Sequence, residues 1–203
     1  TKEFAGQDCI HLRAIGKTHR FYDYFFKVRD YFDAYVDAED FTPRFFMRNI
    51  HEGGYKKKEY YVFFPDKNKV KNDKKKEFEI PSNTWDILSV WYLARKFDYS
   101  KMQPGDSIMM NTFIDNKSYP IGLRYLKDEV IEVDKGKFRC HVIKPLLIAG
   151  ELFKSEDEMT LWVSADKNHI PIKIESGISV GSVTAELKDY EKLKHSLTSL
   201  QPE

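Results

Sequence analysis

This 203-residue sequence has no long apolar run, almost no net charge and only two cysteines. No apolar run approaches the roughly 20 residues that a membrane-spanning helix requires, so we expect no transmembrane segment. The 33 lysines and arginines nearly cancel the 32 acidic residues, which leaves a net charge of +1. A chain with so small a net charge lacks the field that concentrates nucleic acid, and we expect no nucleic-acid partner.

The chain has only two cysteines, too few for a disulfide framework. In the alternating stretch 9–16, Cys9 falls on the polar face and is predicted to point outward. In the stretch 137–144, Cys140 belongs to the apolar set and is predicted to point inward. Since side chains on opposite faces cannot bond without a bulge or a change of register, we expect no disulfide between them.

Catalytic and metal-binding motifs are also missing. The sequence has no nucleophile elbow of the Gly-x-Ser-x-Gly type, no glycine-rich phosphate loop and no dinucleotide fingerprint. Its six histidines form no recognisable ligand pair. Cys140 and His141 are neighbours on one predicted strand, so their side chains point to opposite faces. We therefore expect neither an enzyme nor a metal or cofactor site.

Aromatic residues and strand-like alternation, by contrast, are abundant. The chain has 15 Phe and 12 Tyr, residue types that favour half-buried strands. Turn residues such as Gly53-Gly54 separate the alternating stretches into hairpins. A short helix is predicted at 18–26, where aromatic residues follow helical spacing. Strands are predicted at 9–16, 27–37, 43–52, 55–64, 107–115, 119–127, 130–133, 137–148, 159–166, 169–177 and 179–190, followed by a frayed amphipathic tail.

Residues 84–100 form the one long stretch with clear helical periodicity. Ser82 or Asn83 is the expected N-cap, and Asp86 lies in the first turn, near the positive end of the helix dipole. Apolar residues cover roughly two-thirds of the circumference, whereas a helix on a flat sheet needs about one-third. We therefore predict a mainly β (α+β) fold, in which a curved antiparallel sheet or incomplete β-barrel wraps around one central helix. Residues 1–203, which contain no repeat or linker, are expected to form a single domain with short terminal tails.

Lysines are concentrated between Lys56 and Lys76, where nine lysines accompany three acidic residues. One interpretation is a basic patch for phosphate or acidic headgroups. The other is a set of lysines on exposed edge strands and turns, where they prevent edge-to-edge aggregation. Because no stacking motif accompanies the lysines and acidic residues flank the run, we favour the second interpretation.

Six short motifs occur in order along the chain: PRFFMR at 43–48, EGGY at 52–55, DILS at 86–89 followed by Tyr92 and Arg95, WVSAD at 162–166, IP at 170–171 and GSVTAEL at 181–187. Together they resemble a bacterial envelope family, domain of unknown function 3108. The resemblance implies export in a Gram-negative bacterium, a periplasmic or outer-membrane-associated location and a removed signal peptide. Because the family has no established activity, the resemblance assigns no catalytic residue. More loosely, the layout is similar to periplasmic lipoprotein carriers, which wrap an incomplete barrel around helices and hold acyl chains. The Trp-x-Ser-x-Asp hairpin is the shared feature.

The expected function is that of a non-catalytic envelope protein that binds a lipid, an acyl chain or another hydrophobic molecule. The ligand would occupy an apolar cleft between helix and sheet. If the same residues fill the core instead, the chain is a structural or interaction module that meets an envelope protein partner. That contact would use an exposed sheet edge or the lysine-rich segment between Lys56 and Lys76. The residues predicted to line the cleft are Trp85, Trp91, Tyr92, Phe113 and Tyr125.

Overall fold

The computed structural model describes residues 2–4, 6–147, 159–177 and 182–202. The chain divides into two compact units, the first from residues 1–93 and 110–119 and the second from residues 94–109 and 120–203. The prediction of a single domain stays a prediction. Within these described ranges the strands make up two sheets of seven strands each, so the prediction of a mainly β fold is confirmed.

The elements follow one another in this chain order: β1 (Lys2–Phe4), β2 (Gln7–Lys17), β3 (Arg29–Asp37), β4 (Pro43–Glu52), β5 (Tyr55–Phe64), β6 (Lys69–Asn72), β7 (Glu77–Glu79), β8 (Thr84–Asp86), α1 (Ser89–Ala94), β9 (Ser107–Ile114), β10 (Lys117–Val133), β11 (Gly136–Leu147), β12 (Met159–Ser164), β13 (Pro171–Gly177) and β14 (Ser182–Glu186). Single 3-10 turns occur at Tyr22–Tyr24, Pro65–Lys67 and Tyr99–Lys101.

In the first unit, β1 to β7 form one sheet in sequence order, each strand antiparallel to the next. The turn between β4 and β5 requires Gly53, whose φ of 57° most side chains resist. β1 and β7 are the outermost strands in this order, so the described part of the sheet is open rather than closed into a barrel. Alternate side chains fill the core on one face; they include Leu12, Ala34, Val36, Phe46, Tyr61, Phe63 and Val70.

The prediction of a helix over 84–100 is wrong in its extent. Thr84–Asp86 forms β8, which pairs in parallel with β9, and the α-helix covers only Ser89–Ala94. The N-terminal cap is Asp86 and not Ser82 or Asn83. The wide apolar arc therefore reflects a buried strand followed by a short helix, and it gives no measure of how far a sheet encloses the helix.

Asp86 organises the junction between β8 and α1. Its Oδ1 atom accepts hydrogen bonds from the backbone N–H groups of Leu88 and Ser89 at 2.9 and 2.8 Å, and its Oδ2 atom accepts one from the Ser89 hydroxyl at 2.5 Å. The side chain is completely buried. Leu88 packs into the core of the first unit, so this cap fixes the start of the helix against that core.

In the second unit, β10 to β14 form an antiparallel meander. The sequence predicts two strands at 119–127 and 130–133, but β10 is continuous, and a register shift between Tyr125 and Lys127 marks the irregularity. Gly136, with a φ of 118°, closes the hairpin to β11. The predicted ends of two strands, at 148 and at 179–181, lie outside the described residues.

The segment after β14 is irregular in structure, where the sequence predicts a frayed amphipathic tail. Leu193 and Leu197 pack on the core of the second unit, and Ser199 is fully buried. Asp166 accepts hydrogen bonds from the Ser199 hydroxyl at 2.6 Å and the Ser164 hydroxyl at 3.1 Å. Burial raises the pKa of Asp166, but these bonds outweigh burial and hold it below its ordinary value. The Trp-x-Ser-x-Asp motif thus anchors the C-terminal segment.

The prediction that Cys9 points to solvent is wrong, because its side chain is completely buried. Alternation assigns the right face, but that face is covered: Phe4 on β1 and Tyr35 on β3 stack there with ring centroids 5.2 Å apart. Cys140 is buried as predicted, and both cysteines are free. Burial raises the pKa of the Cys140 thiol to about 12, so this side chain behaves as a small core residue.

We predict that Asp86→Ala lowers the free energy of unfolding by about 1–2 kcal/mol, because two backbone N–H groups lose their acceptor. Burial raises the pKa of Asp86 to about 6, so the folded protein holds a proton there more tightly than the unfolded chain. Its contribution to stability therefore declines as the pH rises from about 4 to about 6.

Urea unfolding of the wild type and Asp86→Asn at about pH 4 and about pH 7 measures this effect. The free energy of unfolding of the wild type is expected to exceed that of Asp86→Asn by less at about pH 7 than at about pH 4. Asp98→Asn is the matched control, because Lys101 and Ser100 lower the pKa of exposed Asp98 to about 2 and give the opposite sign. An unchanged difference for Asp86→Asn at the two pH values would contradict the raised pKa.

Candidate functional site

The three most exposed large hydrophobic side chains of the described residues lie in the connection between β2 and β3. This connection, residues 18–28, contains only a single 3-10 turn, where the sequence predicts a short helix. We call residues 21–26 the aromatic loop. Clustered apolar exposure of this kind is typical of an interaction surface. Its exposed side chains are Phe21 at 64%, Tyr24 at 91%, Phe25 at 79% and Phe26 at 55%.

A hydrogen-bond network holds the base of the aromatic loop. The Thr18 hydroxyl donates to the Asp23 carboxylate at 2.5 Å and accepts from the backbone N–H of Val28 at 3.0 Å. The Arg29 guanidinium donates to both Asp23 oxygens, at 3.0 and 2.5 Å. Arg29, and then Thr18, lower the pKa of Asp23 to about 2, so the carboxylate is ionised at neutral pH. This network closes the neck of the loop and leaves the aromatic rings outside it.

The aromatic loop is also held by the turn between β4 and β5. The backbone N–H of Gly53 donates to the Lys27 carbonyl at 2.8 Å, and Val28 forms an antiparallel bridge with Glu52. The Phe26 ring lies directly against Gly53: a Cβ atom there would be 2.8 Å from the ring. Glycine is therefore required at position 53 both for its positive φ and for this close approach.

A groove of about 370 Å³ lies beside this turn. We call it the basic groove. The strand register places Tyr31 opposite Asn49, Asn49 opposite Lys58, and His51 opposite Lys56. Because alternate residues of neighbouring strands share a face, these side chains form two rows across the sheet. The groove is lined mainly by Arg29, Tyr31, Asn49, His51, Lys56 and Lys58.

The surroundings of the aromatic loop and the basic groove carry an excess of positive charge. Residues 17–29 contain four lysines and arginines against one acid, Asp23. Lys17 lies directly opposite Arg29 in the register of β2 and β3, a like-charge pair that bound anions would relieve. Within the described ranges, neither Lys56 nor Lys58 forms an ion pair with a carboxylate. The local charge is thus strongly positive although the whole chain is nearly neutral.

The residues predicted to line an apolar cleft occupy several environments. Phe113 is 1% exposed and packs edge-on against Tyr61 with centroids 5.1 Å apart. The Trp85 indole N–H donates to the Phe41 carbonyl at 3.1 Å. Phe113 and Tyr92 contribute to the same core of the first unit. These contacts give each side chain a structural role.

Trp91 lies on α1 and is half-buried. Tyr125 belongs to the second unit, where it is buried and its hydroxyl donates to Asp128 at 3.0 Å. The apolar cleft therefore stays a prediction.

Asp115, directly after β9, belongs to an ionic cluster near the core. Asp115 binds Arg48 and Lys57, and Glu59 binds the same two cations at 2.5 and 3.3 Å. Two positive and two negative groups balance one another, and the cations lower the pKa of Asp115 despite its burial. This buried ionic cluster leaves Lys57 committed to carboxylates, unlike Lys56 and Lys58. A balanced cluster of this kind stabilises the sheet and supplies no unpaired acid or base.

Sequence reasoning missed the aromatic loop because Phe21, Tyr24 and Phe25 have the spacing of a helix face. The signal that would have identified it is composition: residues 17–29 interleave aromatic residues with lysines and arginines and contain no aliphatic residue before Val28. A core helix normally includes Leu or Ile on its apolar face. Aromatic and basic residues without aliphatic ones are typical of a surface that meets a polar–apolar boundary.

The described ranges of the chain contain neither a membrane-spanning helix nor a cluster of metal ligands. No helix within them is long and apolar enough to cross a bilayer. No cluster of three or more His, Cys, Asp or Glu side chains within them is arranged to hold a metal ion. The expectations of no metal and no cofactor stay predictions.

Fold and surface together define a mainly antiparallel β protein with an exposed aromatic loop beside a basic groove. A family model described as protein of unknown function (DUF3108) matches residues 1–188, so the chain belongs to the DUF3108 family, and the resemblance in its sequence motifs is confirmed. No curated protein matches the chain. The structure is similar to the crystal structure of a beta-barrel-like protein of domain of unknown function DUF1849 from Brucella abortus. The identity is 11%, the TM-score 0.49, and the match covers 79% of this chain and 72% of that chain.

We predict that Glu59→Ala destabilises the protein by about 3 kcal/mol, because buried Arg48 loses one of its two carboxylate partners and the charges of the cluster no longer balance. The matched control is Glu77→Ala, which removes an exposed carboxylate paired with Lys71 at 3.2 Å and should cost less than about 1 kcal/mol. Urea unfolding of both variants measures the difference. Equal losses of stability in the two variants would show that the ionic cluster is no more important than a surface pair.

Proposed function

We propose that this protein is an exported, non-catalytic binding protein of the bacterial cell envelope whose ligand is a lipid, contacted through the aromatic loop. The observation that carries the proposal is the exposure of Phe21, Tyr24, Phe25 and Phe26 on a loop whose neck is fixed. A fixed neck presents the rings to a ligand without the ordering cost of a disordered segment. The envelope location rests on the family resemblance.

The free energy available from the aromatic loop is large enough for binding. Transfer of one large apolar side chain from water yields about 1.5–3 kcal/mol. Tyr24 and Phe25, the two most exposed rings, would together contribute roughly 1.5–3 kcal/mol if each is buried about halfway. Phe21 and Phe25 have ring centroids 6.1 Å apart, so they form one continuous patch.

The composition of the loop favours a lipid surface over a small soluble ligand. Aromatic side chains prefer the boundary between headgroups and acyl chains, where the ring is apolar and its surroundings are wet. Membrane attachment usually needs a second signal beside apolar insertion, and basic residues next to an inserted segment supply one. Lys27 lies directly after the four aromatic side chains, and Arg20 directly before them.

The apolar cleft predicted from the sequence is a second candidate site for a lipid or acyl chain. It would lie between α1 and a curved sheet or incomplete barrel. Trp91 and Tyr92 support it, since both are only partly buried although they lie on the apolar helix α1. This candidate places the ligand against Trp91 and Tyr92 of α1, whereas the first candidate places it against the aromatic loop.

We predict that the wild-type protein co-sediments with vesicles of phosphatidylethanolamine and phosphatidylglycerol. The double variant Tyr24→Ser/Phe25→Ser is expected to bind them about 10- to 100-fold more weakly, which corresponds to about 1.5–3 kcal/mol. Phe64→Ser is the matched control, because Phe64 is 39% exposed and lies at the opposite end of β5 from the turn that contacts the loop. Unchanged melting temperatures establish that all variants are folded.

If the wild type does not sediment with vesicles, or if the double variant binds as well as the wild type, the loop is not the lipid-contact site. Vesicle binding lost equally in Phe64→Ser would point to a nonspecific effect of removing exposed rings. Capture of an envelope protein through the loop, with no vesicle binding, would favour the interaction module instead.

A further inference from the structure

We propose that the basic groove binds the phosphate of an anionic phospholipid headgroup. This inference rests on the proposed function and deepens it: the aromatic loop supplies contact with the apolar part of the lipid layer, and the groove selects the headgroup. Its volume of about 370 Å³ falls at the lower end of the range for small-molecule sites, about 300–1,000 Å³.

The chemistry of the lining fits a phosphate. Lys56 and Lys58 present ammonium groups, His51 adds ring nitrogens, and Asn49 adds an amide. None of the described residues that line the groove is acidic. Lys57, the third lysine of this run, is bound to Glu59 and Asp115, which leaves Lys56 and Lys58 as the available cations. A lysine side chain is a flexible point charge and binds phosphate in many geometries.

The acidic groups around the groove do not compete for these lysines. Asp23 is held by Arg29, and Asp30 is 7% exposed and accepts a hydrogen bond from the backbone N–H of His51 at 2.9 Å. Glu52 lies near Asp30, and burial followed by the Asp30 charge raises its pKa. Each of these carboxylates is therefore either paired, turned inward or less readily ionised than usual.

The groove and the aromatic loop lie at the same end of the first sheet. Phe26 contacts Gly53 in the turn between β4 and β5. Lys56 lies three residues after Gly53 and is the second residue of β5. Rings inserted at the boundary of a lipid layer would therefore bring Lys56 to the level of the headgroups. Tyr31, 40% exposed, pairs across the strands with Ile15, 53% exposed, and extends an apolar border from the groove.

The test compares two double variants that remove the same charge. Lys56→Gln/Lys58→Gln changes the groove, and Lys74→Gln/Lys75→Gln changes two exposed lysines in the turn before β7. Each lysine near an anionic surface contributes about fivefold to binding, so the groove variant should bind phosphatidylglycerol-containing vesicles about 25-fold more weakly. The turn variant should stay within about twofold of the wild type. On vesicles of phosphatidylcholine alone, the groove variant and the wild type should bind alike.

A third measurement separates the headgroup from free phosphate. Inorganic phosphate is titrated into the wild type, and the backbone amide resonances of residues 49–58 are followed by NMR. The proposal expects weak shifts that vanish in Lys56→Gln/Lys58→Gln, together with much tighter binding to vesicles. Saturation by inorganic phosphate at a concentration that leaves vesicle binding unchanged would assign the groove to a soluble phosphate and overturn the headgroup assignment.

The remaining outcomes distinguish the two proposals. Equal losses in the groove variant and the turn variant would mean that only the general charge attracts the vesicles, which overturns the groove site. Binding of the wild type to vesicles with no effect of Lys56→Gln/Lys58→Gln overturns the groove and leaves the aromatic loop intact. Failure of the wild type to bind any vesicle overturns both.

Discussion

The ion pair between Asp23 and Arg29, reinforced by the Thr18 hydroxyl, is the contact on which the proposed site depends. It closes residues 18–28 at their base and so prevents the aromatic side chains from folding back onto the sheet. Burying those rings would gain several kcal/mol, so a chain without this constraint would be expected to collapse them inward. The contact between Phe26 and Gly53 then joins the loop to the neighbouring turn, and the two segments present one surface.

The two faces of the first sheet have different roles. One face holds the apolar core, in which Phe113 and Tyr61 meet edge-on, and the buried ionic cluster around Glu59. The other carries a row of stacked aromatic rings: Phe4 stacks with Tyr35 and Phe45 with Tyr60, at centroid distances of 5.2 and 5.7 Å. An aromatic outer face explains why Cys9 is buried, and it leaves the polar lining of the basic groove as a distinct region.

Strand periodicity and turn residues predicted most of the β structure, because a half-buried strand leaves a period-2 pattern that neighbouring strands do not alter. The prediction of a helix over 84–100 was wrong for the opposite reason. Thr84–Asp86 pairs with residues of β9 that lie more than twenty positions away, and no local sequence pattern indicates that pairing. Asp86 was placed in the first turn as a dipole partner, but its role as the cap required the strand to be known. The aromatic loop was missed because periodicity shows which residues share a face and not whether anything covers that face.

In the proposed function, residues 21–26 enter the lipid layer while the basic groove lies at the headgroups. Paramagnetic relaxation of backbone amide signals by vesicles that contain a spin-labelled lipid tests this placement directly in the unmodified protein. The strongest broadening is then expected for residues 21–26, weaker broadening for residues 51–58, and none for residues 62–64 at the opposite end of β5. Broadening centred on residues 62–64, or spread evenly over the surface, would contradict this placement.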